Sequence, residues 1–213
     1  MLTVSEIYRS IQGESTHVGR PCVFVRLTAC DLRCRWCDTP YAFTGGRSRS
    51  VDDVVGEVER LGGDLVEITG GEPLLQRDVY PLMQRLLDRR VAILLETGGH
   101  VPLDEVPDEV VAIVDVKCPA SGEAHRMHWP NLAQLSPHDE VKFVIQDRAD
   151  FEYARQVVTR HDLAGRARAV LFSPVHGVLA PADLARWILD EGLAVRLQLQ
   201  IHKYVWGADA RGV

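Results

Sequence analysis

The sequence predicts an α/β protein built on a mainly parallel sheet. Two observations indicate this class: short runs of Val, Ile, Leu and Phe recur along the chain, and amphipathic segments lie between several of them. Parallel strands need long connections, and helices usually provide them. Because there are fewer helical segments than strand segments, an incomplete βα barrel is expected rather than eight full repeats.

Seven apolar runs are too short for ordinary helices and are predicted to be buried strands. They are residues 23–27, 65–69, 91–96, 110–116, 141–145, 169–173 and 195–200. Polar residues follow most of these runs. Parallel α/β folds carry their chemistry at the carboxyl ends of the strands, so one edge of the sheet is expected to hold the functional site.

Four segments have helical periodicity. In residues 51–61 the valines share one face, Ser50 is placed to cap the start and Gly62 the end. The other three helices are predicted over residues 78–90, 149–160 and 181–191. Between residues 96 and 140 the pattern weakens to a direct passage from strand to strand, followed by a polar stretch.

Length and composition favour a single domain, residues 1–213. The chain is 46% hydrophobic and 25% charged, which is ordinary for a globular protein. No apolar run approaches the roughly 18 residues of a membrane span, and the N-terminus lacks secretory features. A cytoplasmic protein is therefore expected. The net charge of −6 argues against nucleic acid as a partner.

Three cysteines directly after the first predicted strand form a C-x3-C-x2-C motif: Cys30, Cys34 and Cys37. Thiolates so spaced can hold one inorganic centre. Structural zinc usually takes four protein ligands, so a 4Fe–4S cluster with one open iron fits better. A zinc site completed by Cys118 or a histidine, or plain buried thiols, are the alternatives. Cys22 and Cys118 are interpreted as structural thiols.

A glycine-rich turn, ITGGEP at residues 68–73, follows the second predicted strand. Paired glycines allow a close approach of backbone to a ligand. Glu72 can either hold the turn or receive an ammonium group. Taken alone, the motif fits an ordinary strand-to-helix turn.

Together the two motifs resemble the radical S-adenosylmethionine (SAM) superfamily, with Trp36 at the aromatic position of its cysteine signature. Further segments, in order, resemble the 7-carboxy-7-deazaguanine synthase family over nearly the whole chain. They are EIYRSIQGES, FVRLTACDLRCRWCDTPYA, ITGGEPLLQ, LLETGG, DVKCPASG, EVKFVI, SPVHG and LQLQIHKYVWG. The resemblance implies a partial TIM-like βα barrel of the radical SAM type.

The resemblance also implies an activity. Members of this family convert 6-carboxy-5,6,7,8-tetrahydropterin to 7-carboxy-7-deazaguanine with loss of ammonia, in queuosine and 7-deazapurine biosynthesis. SAM is cleaved to a 5′-deoxyadenosyl radical that removes hydrogen from C6; after ring contraction the hydrogen returns and SAM is regenerated. Magnesium, a homodimeric state and an electron-donor protein such as a flavodoxin are implied as well.

Site residues follow from the same resemblance. The cluster ligands are Cys30, Cys34 and Cys37, and Thr39 binds Mg²⁺. Substrate contacts are implied for Ile11, Gln12, Gly13, Glu14, Arg26, Thr69 and the terminal carboxylate of Val213. SAM contacts are implied for Trp36, Gly71, Asp115, Lys117, Ser173, Pro174, Val175 and His176. Gln12 and Glu14 can form hydrogen bonds with the amide and amino edge of a pterin. The Arg26 guanidinium can pair with the pterin carboxylate through two N–H groups.

The chain departs from the common family pattern at three places. Ser15 stands where glycine is usual, Asp31 replaces Asn after the first cysteine, and ETGG replaces ETNG. None of these removes a ligand. Two other functions remain open at this point: a glycyl-radical activating enzyme, and a noncatalytic zinc-binding interaction domain.

Overall fold

The computed structural model describes all 213 residues. Its strands are β1 Leu2–Ile11, β2 Pro21–Leu27, β3 Arg47–Arg49, β4 Leu65–Gly70, β5 Ala92–Thr97, β6 Val111–Asp115, β7 Glu140–Ile145, β8 Ala169–Pro174 and β9 Arg196–Leu197. Its helices are α1 Val51–Leu61, α2 Val79–Leu87, α3 Arg148–Arg160, α4 Leu163–Arg166, α5 Pro181–Asp190 and α6 Ile201–Val205. None of them is long and apolar enough to cross a membrane.

All nine strands form one sheet in the order β3-β1-β2-β4-β5-β6-β7-β8-β9. Every pairing from β2 to β9 is parallel, whereas β1 pairs antiparallel with both β2 and β3. The sheet is open, because β3 and β9 lie at opposite ends of this order. The passage from β5 to β6 contains no helix. The predicted α/β class, with its reduced helix count, is therefore confirmed.

The two ends of the sheet differ from prediction. Strand β1 was not predicted, because a bulge between Val4 and Glu6 shifts its register against β2 and interrupts the alternation of apolar residues. Strand β9 covers only Arg196–Leu197 instead of residues 195–200. Beyond it the chain leaves the sheet and enters α6 at Gln200.

Successive side chains of each strand point to opposite faces of the sheet. The outer face packs against the helices in a core of 38 buried residues. On the inner face a small apolar floor lies at the amino-terminal half of the strands. Its members are Cys22, Phe24, Leu65, Leu94 and Ile113. Two positions further along each of these strands, on the same face, the residue is charged: Arg26, Glu67, Glu96 and Asp115. The polar groups therefore lie toward the carboxyl ends.

Local sequence explains the ends of the helices. At α1 the Ser50 hydroxyl accepts from Asp53 N at 3.0 Å, and Asp53 accepts from Ser50 N at 3.1 Å, which is a capping box. Gly62 ends α1 with a φ of 68°. The side chain of Asp147 caps α3 in the same way as Ser50 caps α1. The four predicted helices are thus present, and α2 is shorter than the predicted 78–90.

Candidate active site

A cavity of about 680 Å³ lies at the carboxyl ends of the strands. Most of the residues implied by the family resemblance line it. These are Ile11, Gln12, Gly13, Glu14, Arg26, Cys30, Cys34, Trp36, Cys37, Thr39, Thr69, Gly71, Asp115, Lys117, Val175, His176 and Val213. Two do not: Ser173 is buried in β8, and Pro174 lines a smaller neighbouring groove.

The three motif cysteines are free thiols, each half-buried on the wall of the cavity. Burial raises the pKa of Cys34 to about 11, so its thiol is protonated at neutral pH unless a metal displaces the proton. No three His, Cys, Asp or Glu side chains are close enough together to share a single metal ion. Cys118, the suggested fourth zinc ligand, packs in the main core instead.

The paired glycines of the ITGGEP turn allow the cysteine loop to pack closely against the turn. A Cβ on Gly71 would lie 2.0 Å from Ala29 O, and one on Gly70 would lie 2.2 Å from Leu27 O. Glu72 N donates to Ala29 O at 2.8 Å. Only glycine fits such an approach of two backbones. The turn is therefore the surface on which the cysteine loop rests.

The Glu72 side chain holds this turn, which is the first of the two roles considered for it. It is 1% exposed and accepts from Leu74 N at 3.1 Å, from the Thr97 hydroxyl at 2.9 Å and from Gly98 N at 2.8 Å. These bonds join the loop after β4 to the loop after β5.

Glu14 is a cavity carboxylate that accepts hydrogen bonds from three side chains. It accepts from Lys142 Nζ at 3.0 Å, from Gln198 Nε2 at 3.0 Å and from Gln200 Nε2 at 2.8 Å. Burial raises the pKa of Glu14, but Lys142 and these hydrogen bonds more than offset it, so the pKa lies below its usual value. Glu14 is therefore ionised at neutral pH.

Glu67, on β4, has a pKa shifted in the opposite direction from that of Glu14. Burial, together with the nearby carboxylates Glu96 and Glu14, raises the pKa of Glu67 well above its usual value. Gln12 Nε2 donates to one of its oxygens. The cavity thus holds an ionised carboxylate at residue 14 and, at residue 67, a carboxyl group whose surroundings favour the protonated form.

Lys142 is the cation that balances this side of the cavity. Its side chain is 6% exposed, contacts Glu96 as well as Glu14, and lies 3.9 Å from Asp115. Sequence reasoning did not assign Lys142, Glu67 or Glu96 to the site. The signal was present, because each is a charged residue inside an otherwise apolar predicted strand, where charges are rarely buried without a function or a partner.

Arg26 faces the cavity from β2 and is fixed by the strand that was not predicted. Its Nε donates to Glu6 at 2.8 Å and its Nη2 donates to Tyr8 Oη at 3.0 Å. Tyr41 donates to the same glutamate at 2.9 Å. The guanidinium is thereby oriented before any ligand arrives.

The C-terminal segment closes the other side. Lys203 Nζ and Gln200 Nε2 both donate to Asp38, at 2.7 and 2.9 Å, which ties α6 to the cysteine loop. The ring of His202 lies so close to Gly13 that a Cβ there would be 2.1 Å from Nδ1. The two ends of the sequence therefore meet across the cavity.

An open, mostly parallel sheet with three thiols after its first parallel strand and a glycine turn after the next defines a radical SAM protein, and residues 25–160 match the family model of the Radical SAM superfamily. The chain is 51% identical to the 7-carboxy-7-deazaguanine synthase of Koribacter versatilis, with 100% of both chains covered. It is 45% identical to that of Chlorobaculum tepidum, covering 100% of this chain and 97% of the relative. The chain belongs to the 7-carboxy-7-deazaguanine synthase family.

The fold is also similar to that of a solved structure. The crystal structure of QueE from Escherichia coli superposes with a TM-score of 0.71 at 21% sequence identity, covering 93% of each chain. At this identity the likeness speaks for the fold, while the family assignment rests on the sequence relatives.

Proposed function

We propose that this protein is a radical SAM lyase that converts 6-carboxy-5,6,7,8-tetrahydropterin to 7-carboxy-7-deazaguanine and ammonia. The hydrogen removed from C6 is returned, so the net change is the loss of ammonia without oxidation. The observation that carries the proposal is the single cavity that joins the three thiols to Glu14, Gln12 and Arg26. Family membership supplies the reaction class.

Membership of the superfamily implies a 4Fe–4S cluster and SAM. The residues fit them: three free thiols line one cavity, and Asp115 Oδ1 is buried there without a hydrogen-bond partner. When bound, the cluster supplies the electron that cleaves SAM. Cys30, Cys34 and Cys37 would hold the cluster. We assign SAM contacts to Trp36, Gly71, Asp115, Lys117, Val175 and His176, and a supporting role beneath this loop to Ser173 and Pro174.

The opposite wall is proposed to bind the pterin. The ionised Glu14 accepts N–H donors of the amide and amino edge, and Gln12 supports the same edge. Arg26, already oriented by Glu6 and Tyr8, is free to pair with the substrate carboxylate. The remaining substrate contacts are assigned to Ile11, Gly13, Thr69 and Val213, all of which line this cavity. The chain's own residues thus bind and orient the substrate beside the thiols.

One anaerobic experiment tests the function. The protein is reconstituted with iron and sulfide and incubated with SAM, reductant, Mg²⁺ and the carboxytetrahydropterin, and 7-carboxy-7-deazaguanine and ammonia are measured. Equal amounts of both products are expected, with SAM not consumed. Cleavage of SAM without the deazaguanine product would reject the assigned reaction. A colourless protein with stoichiometric zinc would favour the noncatalytic alternative.

Thr39 is proposed as the protein ligand of Mg²⁺. Its hydroxyl lines the cavity and donates to Gly70 O at 3.4 Å. Mg²⁺ takes oxygen ligands and keeps several waters or substrate oxygens. Thr39→Ala is therefore expected to weaken the response to Mg²⁺ severalfold, measured as the concentration that gives half-maximal turnover. Thr39→Ser should keep the response, and Thr44→Ala, an exposed change nearby, is the control. An unaltered Mg²⁺ dependence of Thr39→Ala would reject this ligand.

Further parts of the proposal rest on the family resemblance and the sequence. They are a homodimeric state, an electron-donor protein such as a flavodoxin, a cytoplasmic location, and one domain over residues 1–213. The continuous sheet, which runs from residue 2 to residue 197, supports the last of them. The glycyl-radical activating alternative finds no support among the relatives, which are named 7-carboxy-7-deazaguanine synthase.

A further inference from the structure

The cysteine loop is tied down on its outer side through Asp31, the residue directly after the first motif cysteine. Its carboxylate accepts from His100 Nε2 at 2.6 Å and from Arg126 Nη2 at 2.6 Å. Both partners come from the segment between β5 and β7.

His100 connects Asp31 to the glycine turn. Its side chain is 4% exposed, and its second ring nitrogen, Nδ1, lies 3.7 Å from Glu72 Oε2. The ring therefore stands between the cysteine loop and the carboxylate that holds the ITGGEP turn. The hydrogen bond of Nε2 to Asp31 orients this buried imidazole, while Nδ1 has no hydrogen-bond partner and lies beside the Glu72 carboxylate.

A glycine lies against the same ring. A Cβ on Gly98 would be 3.0 Å from His100 Nδ1 and 3.0 Å from Leu32 Cδ1. A side chain at residue 98 would compete with His100 for this space. Asp31, Gly98 and His100 thus form one set: glycine makes room for the ring, and the ring donates to the aspartate.

We propose that His100 is a positioning residue that fixes Asp31 and thereby sets the conformation and the electrostatic surroundings of the three thiols. The inference rests on the proposed function only in that the thiols hold a 4Fe–4S cluster. Cluster potentials respond to nearby charge and hydrogen bonds. With its carboxylate held by His100 and Arg126, the charge of Asp31 is partly balanced. Without the His100 donor, less of this charge is balanced, and it opposes the uptake of an electron by a cluster on the thiols.

The test is a double-mutant cycle on Asp31 and His100 with two measurements. Hydrogen exchange of residues 30–35 is followed in the cluster-free protein, and the midpoint potential of the reconstituted cluster is measured by EPR-monitored titration. His100→Ala and Asp31→Ala should each raise the exchange. Their potentials should move in opposite directions: more negative without His100, because the carboxylate keeps only Arg126 as a donor, and less negative without Asp31. In the double variant both readouts should equal those of Asp31→Ala alone.

His100→Gln keeps a donor close to the position of Nε2 and is expected to restore both values. His125→Ala, an exposed change in the same segment, is the matched control and should alter neither. If both single variants shifted the potential in the same direction, the loop would merely be loosened and the proposal would be overturned. The proposal would also be overturned if His100→Ala had the same effect in the Asp31→Ala background as in the unmodified protein. Should His100→Ala fail to fold, His100→Leu, which fills the space of the ring without a donor, takes its place in the cycle and should shift the potential in the same direction. None of these measurements uses the pterin, so the deazaguanine assay can fail independently.

Discussion

Cys34→Ala is expected to reduce SAM cleavage to background. Cys34 is the middle thiol of the loop, and with its two partners it would supply all the protein ligands of the cluster. The fold should survive, because Cys34 is only half-buried and lies outside the core; a loss of about 1 kcal/mol of stability is typical of such changes. Iron content, the visible absorbance of the reconstituted protein and 5′-deoxyadenosine formation measure the outcome.

Cys22→Ala is the matched control for this prediction. It also removes one sulfur, but from the apolar floor of the inner face, where Cys22 is 1% exposed and does not line the cavity. This variant should keep its iron and its SAM cleavage. If Cys34→Ala retained the iron content and cleavage of the unmodified protein, the assignment of the three-thiol ligand set would be wrong.

The parallel part of the fold could be predicted because its sequence signals are local. Buried strands such as 169–173 are almost continuous apolar runs, and α1 carries both its cap residues next to its apolar face. The strands toward the two ends of the sheet were harder to predict. The bulge in β1 disturbs the alternation that identifies a strand, and β9 ends early because Gln198 and Gln200 turn toward Glu14.

The site could be predicted where a motif or a family resemblance marks it, and less well elsewhere. The cysteines and Glu14 lie in such segments. The network around Lys142 depends on strand register instead: Lys142 is paired with Asp115 across β6 and β7, and its contact with Glu14 joins residues 128 positions apart. A charged residue inside an apolar strand indicates that it has a partner, but only the folded sheet shows which residue that partner is.

Lys142→Met is expected to lower kcat/KM for the pterin by about 10- to 100-fold, the equivalent of the 1.5–3 kcal/mol of a hydrogen bond to a charged group. Without the cation, the pKa of Glu14 rises, because burial is then opposed only by the hydrogen bonds from Gln198 and Gln200 and by His202. A protonated Glu14 no longer accepts the N–H groups of the substrate edge. The defect should therefore shrink as the pH is raised above neutrality, because alkaline pH favours the ionised form of Glu14. The unmodified protein should show no such recovery. Steady-state kinetics across this range measure it.

The same change also removes a buried charge from between carboxylates, which destabilises by about 3–5 kcal/mol, so fold and binding must be separated. The double variant Lys142→Met/Glu96→Gln removes one carboxylate along with the lysine and is expected to regain part of the stability, read by thermal unfolding. It should not regain the affinity for the pterin, because Glu14 still lacks its cation. Recovery of kcat/KM together with stability would mean that Lys142 serves the fold alone, and its role in holding Glu14 for the substrate would be rejected.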